Sequence, residues 1–222
     1  MAAVTNIDDG RTQTAQQRFV EIGTTGLKHA GGILDEEFLR ELRGQSGVKV
    51  YREMRDNDAV VGAVLTAIEL LIRNVEWRWE PTDESQEAGH ALELAESSFQ
   101  RMSSTWKDTL SEILSMLVYG WSWLEVVYEK QDSGMLGWKK WAIRGQDTLH
   151  HWEFDEEGGL KGMWQSTARS PAPVLIPIEK SMLFRTRTER GNPEGYSILR
   201  RAYRPWYFKR RMEEIEGIGV ER

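Results

Sequence analysis

The hydrophobic period of this chain changes at Gly120, and that change constrains the fold more than any other feature. Upstream, apolar residues recur every three or four positions, as in helices with one face in a core. Ala88, Leu92, Ala95, Phe99 and Met102 form one such stripe; Trp106, Leu110, Ile113, Leu114 and Leu117 form the next. "TWKD" at 105–108 reads as a capping box opening the second of these helices, and Gly120 stands where a left-handed C-cap belongs. Downstream the period is two. In "WSWLEVVYE", Trp121, Trp123, Glu125 and Val127 fall on one face and Leu124, Val126 and Tyr128 on the other. "WKKWAIR", "LHHWEFD", "LKGMWQS" and "SMLFRTRT" read as further strands, with "DSG" and "DEEGG" as turns. The proline-punctuated "SPAPVLIPIEK" reads as an edge strand or a connection. Helices, then a mostly antiparallel sheet, then a closing helix make an α+β fold.

Residues 1–34 read as a flexible N-terminal arm and 35–222 as the α+β domain. The first 18 residues are polar, Gln/Thr-rich and aperiodic, with a short strand expected at 19–22. Asp35 is placed to cap a short helix that ends at Gly44. A helix over 48–55, a break at 56–58 and a longer helix to 74 follow. In the longer one, Asp58, Gly62, Thr66, Glu69 and Arg73 share a narrow face, while Val60, Val61, Val64, Leu65, Ile68, Leu71 and Ile72 cover the rest. A helix apolar over so much of its circumference is expected to be buried on several sides, as a central core helix or at a subunit contact. "VEWRWEP" then alternates Val75, Trp77 and Trp79 against Glu76, Arg78 and Glu80, the pattern of a half-buried strand closed by Pro81.

The totals exclude several classes of function. The chain has 222 residues and no cysteine, so disulfides, thiol catalysis and thiolate metal sites are ruled out. The polar start is no signal peptide, and no apolar run reaches the roughly 18 residues a membrane span needs. The reading is a soluble, intracellular protein. Its net charge of -6 argues against a general DNA-coating protein. Ten tryptophans are either core and interface filling or a stacking platform for sugars or bases. There is no phosphate-cradling glycine loop, nucleophile elbow or zinc-protease motif. His150 and His151 are adjacent in an expected strand, so they should face opposite ways and share no metal. No metal or cofactor is implied. Glu125 falls on an aromatic strand face: it is either a general acid with a raised pKa or the partner of an arginine, Arg73 or Arg144.

The remaining unusual feature is "RGNPEGYSILRRAYRPWYFKRR" at 190–211. From 197 to 211 it carries six basic residues and no acidic one. Ser197 can cap a helix whose apolar side is Ile198, Leu199, Ala202, Tyr203 and Trp206. Pro205 either kinks that helix or sits in the first turn of a new one. Lys209–Glu213 and Arg210–Glu214 are weak basic-first pairs that do not account for so much charge. Three readings stand: a solvated amphipathic helix, a phosphate-facing helix, or a subunit interface. The candidate residues are Arg200, Arg201, Arg204, Trp206, Lys209, Arg210 and Arg211.

Four stretches in order, "YREMRDNDAVVGAVLTAIELLIRNVEWRWEP", "LSMLVYGWSWLEVVYE", "LHHWEFDEEGGLKG" and "RGNPEGYSILRRAYRPWYFKRR", resemble the N-terminal, wing half of tailed-bacteriophage portal proteins. The resemblance covers residues 48–222. It implies a structural protein rather than an enzyme, forming a homo-oligomeric ring of about twelve subunits at the capsid vertex. DNA would be packaged and ejected through it, with non-specific double-stranded DNA contact. Terminase, the major capsid protein and a head-tail adaptor are the implied partners, with no membrane partner. The implied location is the virion, with the host cytoplasm during assembly. The family's stem, clip and crown lie further along a longer chain, so this sequence reads as a fragment or a reduced version. The resemblance favours a neighbouring subunit first, and passing DNA second, as the partner of the basic stretch. The alternative is a monomeric Trp-rich module for glycans or single strands.

Overall fold

The computed structural model describes residues 23–131 and 134–220. The expectations for residues 1–18, for a strand at 19–22 and for most of the "DSG" turn lie outside them. The order is a two-residue β1 (His29–Ala30) and β2 (Ile33–Leu34), then α1 (Gly44–Asn57), α2 (Ala59–Arg73), α3 (Gln86–Arg101) and α4 (Trp106–Tyr119). Strands β3 (Trp121–Lys130), β4 (Leu136–Arg144), β5 (Leu149–Phe154), β6 (Leu160–Thr167), β7 (Ser170–Pro177) and β8 (Ser181–Arg185) follow. Helix α5 (Tyr203–Val220) closes the described chain. All pairings are antiparallel, in sheets ordered β1-β2, β4-β3-β8 and β5-β6-β7. The fold is α+β.

The switch of period falls where the sequence puts it. Thr105 caps α4 by accepting from the Asp108 N–H at 3.2 Å. Gly120 ends the helix at φ +94° and lies so close to the 194–197 loop that a Cβ there would stand 2.4 Å from the Glu194 carbonyl oxygen. Only glycine meets both demands. Immediately beyond, β3 is buried on both faces because two cores meet across it. Trp121 and Trp123 pack with Trp152, Met163 and Ile176 on one side. Leu124 and Val126 pack with Met102, Ile113 and Trp141 on the other. A third core is helical: Tyr51, Met54 and Leu65 meet Val118, Tyr119, Leu199, Tyr203 and Trp206.

Four expectations are corrected. Residues 35–43 form no α-helix, and Gly44 begins one rather than ending it. Asp35 pairs with Arg43 instead of capping, and the segment has only a 3-10 turn at Arg40–Leu42 before α1 begins at Gly44. That turn presses on α1: a Cβ on Gly47 would stand 2.2 Å from the Leu42 carbonyl oxygen. Residues 75–81 are not a strand. The alternation is satisfied by side chains alone, since Trp77 meets Trp106 edge-on at 5.5 Å, and Trp79 meets Phe99 at 5.5 Å and Trp138 at 6.1 Å. Helix α2 is not the central helix of a core, which leaves the subunit contact of its two expected placements. Leu65 is its single buried residue, while Val60 is 68% and Leu71 72% exposed. Finally, His150 and His151 do not face apart. A shift of register between Leu149 and His151 bulges β5 and brings their Nδ1 atoms to 2.6 Å. Even so, no group of three or more His, Asp or Glu among the described residues could hold a metal ion.

Candidate interaction surfaces

The basic stretch begins as a tightly held turn. Ser197 Oγ accepts from the Leu199 N–H at 3.1 Å and donates to the Val118 carbonyl, fixing the 3-10 turn Ile198–Arg201 to the end of α4. Helix α5 starts at Tyr203, so the break falls at Ala202 and Pro205 occupies the first turn, where a missing N–H costs nothing. Tyr203 and Trp206 point into the helical core. Trp206 is thus an anchor of the fold rather than a free stacking face.

Most of the cations are answered from within the chain. Arg200 grips Glu37 with two parallel bonds of 2.6 and 2.8 Å, the bidentate geometry that makes arginine–carboxylate pairs strong. Burial tends to raise the Glu37 carboxyl, but Arg200 and two backbone N–H groups outweigh it and hold it below the usual range. Lys209 reaches Asp58 at 2.8 Å, and the other oxygen of Asp58 caps α2 by accepting from Val60 and Val61 at 2.9 and 3.0 Å. Lys209 and those N–H groups lower the Asp58 pKa. Arg210 bridges to Glu53 on α1 at 2.8 Å and to Glu214 at 3.2 Å. Arg211 binds Glu214 at 2.8 Å and the Tyr207 hydroxyl at 3.3 Å. Lys209 also stands 3.8 Å from Glu213. Arg204 lies 5.8 Å over the Phe208 ring. Of the seven candidates, Arg201 and Arg204 are the cations that have no carboxylate at ion-pair distance among the described residues.

Glu125 is bound by the Arg144 guanidinium, with Nε at 2.9 Å and Nη2 closer still. The β3–β4 register sets Glu125 opposite Ala142 and Trp123 opposite Arg144, so Arg144 is the diagonal neighbour on the same face. Arg73 instead pairs with Glu69 on its own helix. Burial raises the Glu194 carboxyl, partly offset by the hydrogen bond it accepts from the Trp152 indole at 3.0 Å.

Two apolar faces that helical spacing picks out stand uncovered. On α5, Phe208, Met212, Ile215 and Ile218 project outward, with Ile215 69% exposed. On α2 the face carries Val60, Val64 and Leu71. The signal is present in the sequence as spacing, but spacing does not say which apolar face stays open. Half of the ten tryptophans are interior: Trp121, Trp123, Trp141, Trp152 and Trp206 are buried, whereas Trp77 and Trp79 remain half exposed.

A family model described as the portal protein of Mu bacteriophage matches residues 48–221.

Proposed function

This chain belongs to the Mu bacteriophage portal protein family, and from that premise we propose that it is a structural, ring-forming component of the virion rather than an enzyme. In this reading about twelve copies close a ring at one capsid vertex. DNA passes through it during packaging and ejection, and its surfaces receive terminase, the major capsid protein and a head-tail adaptor. Residues 35–222 act as the wing-like domain, with 1–34 as an arm. The observation that carries the reading is the family match across 48–221. The uncovered faces of α2 and α5 support self-association, because exposed apolar stripes of this extent mark contact surfaces. A net charge of -6 suits a conduit in which DNA must slide, since each added phosphate contact steepens binding. No helix among the described residues is long and apolar enough to cross a membrane.

The test is the mass of the full chain in solution, by native mass spectrometry with negative-stain top views. Closed rings are expected; monomers and dimers alone across the accessible concentration range would refute the reading. The half-exposed Trp77 and Trp79 favour a second reading, a monomeric module that stacks glycans or single strands. That reading requires saturable, salt-resistant quenching of tryptophan fluorescence by such a ligand.

A further inference from the structure

Three cations with no carboxylate at ion-pair distance among the described residues converge on one groove. Lys140 on β4, Arg169 in the β6–β7 turn and Lys180 just before β8 line a groove of about 790 Å³ where the two three-stranded sheets meet. Arg144 lines it as well, but its guanidinium is already bound to Glu125, the one carboxylate among the described lining residues. No carboxylate among the described residues lies at ion-pair distance from Lys140, Arg169 or Lys180. In a chain with an acidic excess, three unanswered cations around one concavity point to an anionic occupant.

The opposite charge is displayed at the far end of the same sheet. Strand β6 is eight residues long, with the β5–β6 hairpin tip at one end and the β6–β7 turn at the other. The two turns are therefore roughly 26 Å apart. At the tip, the Asp155 carboxylate accepts from the N–H groups of Glu157 and Gly159 at 3.0 and 2.6 Å, and Gly158 adopts φ +85°. These bonds hold the turn in one shape. They leave Glu156 and Glu157 exposed, with no cation at ion-pair distance among the described residues.

We infer that the acidic β5–β6 tip of one copy seats in the basic groove of the next, an end-to-end contact between copies of this chain. The inference rests on the ring reading above and names one of its contacts. The two patches lie at opposite ends of β6 within one chain, so they meet only between chains. A contact between unlike patches on identical chains does not stop at a dimer; it propagates until the ring closes. Charge pairs at its edge would set register and speed encounter.

The test uses the full chain and the distribution of assembled mass at matched concentration. The groove variant is Lys140→Glu/Arg169→Glu/Lys180→Glu, the tip variant is Glu156→Lys/Glu157→Lys, and a third variant carries all five changes. Each parent variant should lose assembly by about tenfold or more, and the five-change variant should recover it. Glu80→Lys/Glu84→Lys, which changes net charge as much as the tip variant does, should assemble normally. Circular dichroism and thermal melting establish that the variants are folded; the tip variant reports independently if the groove variant is not. Rings from either folded parent variant, or no recovery in the five-change variant, would overturn this contact while leaving the ring reading intact. A wild-type chain that never assembles would refute both. A groove variant that assembles normally but no longer retains short duplex DNA would reassign the groove to phosphate and overturn the inference.

Discussion

The basic stretch at 197–211 and the groove beside the β6–β7 turn both concentrate positive charge, and they differ in what the fold sets opposite it. Along the stretch, Glu37, Asp58, Glu53 and Glu214 meet Arg200, Lys209, Arg210 and Arg211, so the charge ties the 198–201 turn to the 35–43 segment, and α5 to α1 and the α2 cap. Around the groove, Lys140, Arg169 and Lys180 meet no carboxylate among the described residues. Yet the stretch is conspicuous in sequence, while the groove residues are scattered over 41 positions, from 140 to 180. Charge density along a chain therefore says little about free charge on its surface. What decides is whether the fold has placed a carboxylate within reach.

The largest effect is expected at Arg200. Arg200→Glu sets a carboxylate against Glu37 in a half-buried site and should cost about 3 kcal/mol of stability by urea denaturation. An effect on assembly with unchanged stability would mean the residue faces a neighbour rather than Glu37. Asp58 comes next. Asp58→Ala removes the α2 cap and should cost about 1 kcal/mol, whereas Asp58→Asn keeps a capping oxygen and should retain most of it. Because the folded-state pKa of Asp58 is lowered, its contribution is present above the usual aspartate range and is lost as pH falls through the lowered value. The stability profile of Asp58→Asn should lack that acid-side loss.

Glu194 sharpens the contrast, since it is a carboxylate with no cation opposite among the described residues. Its pKa is raised, so the fold binds its proton more tightly than the unfolded chain does. Stability should fall as pH rises from the usual glutamate range through the raised value. Glu194→Gln still offers Trp152 an oxygen, and should flatten this decline and melt higher at neutral pH. A steeper decline in the variant would contradict the assignment. The smallest effect on stability belongs to the groove. Reversing Lys140, Arg169 and Lys180 one at a time should change it by less than about 0.5 kcal/mol each; a larger loss would show that these residues hold the fold together.

The legible parts of the fold are those dictated by local chemistry. The Thr105 cap, the left-handed Gly120, the break at Asp58 and the two-faced β3 all follow from short-range rules that tertiary packing has no reason to override. The failures share one cause: the pattern names a need without naming what meets it. Alternation in "VEWRWEP" is satisfied by aromatic contacts to Phe99, Trp106 and Trp138, with no ladder. The apolar circumference of α2 stays largely open. A bulge, invisible in residue types, turns His151 towards His150. The basic stretch can be recognised, but its partners sit up to 163 residues away in sequence. The groove cannot be read at all, because it exists only once two sheets are brought together.

The chain's lack of cysteine lets the end-to-end contact between copies be trapped covalently. In Glu157→Cys/Arg169→Cys the two thiols lie at opposite ends of β6, too far apart to join within one chain. Under mild oxidation the variant should give a covalent ladder that climbs to the full ring on a non-reducing gel, while neither single-cysteine variant goes beyond a dimer. Rings that assemble normally but yield no ladder above the single-cysteine controls would contradict the claim.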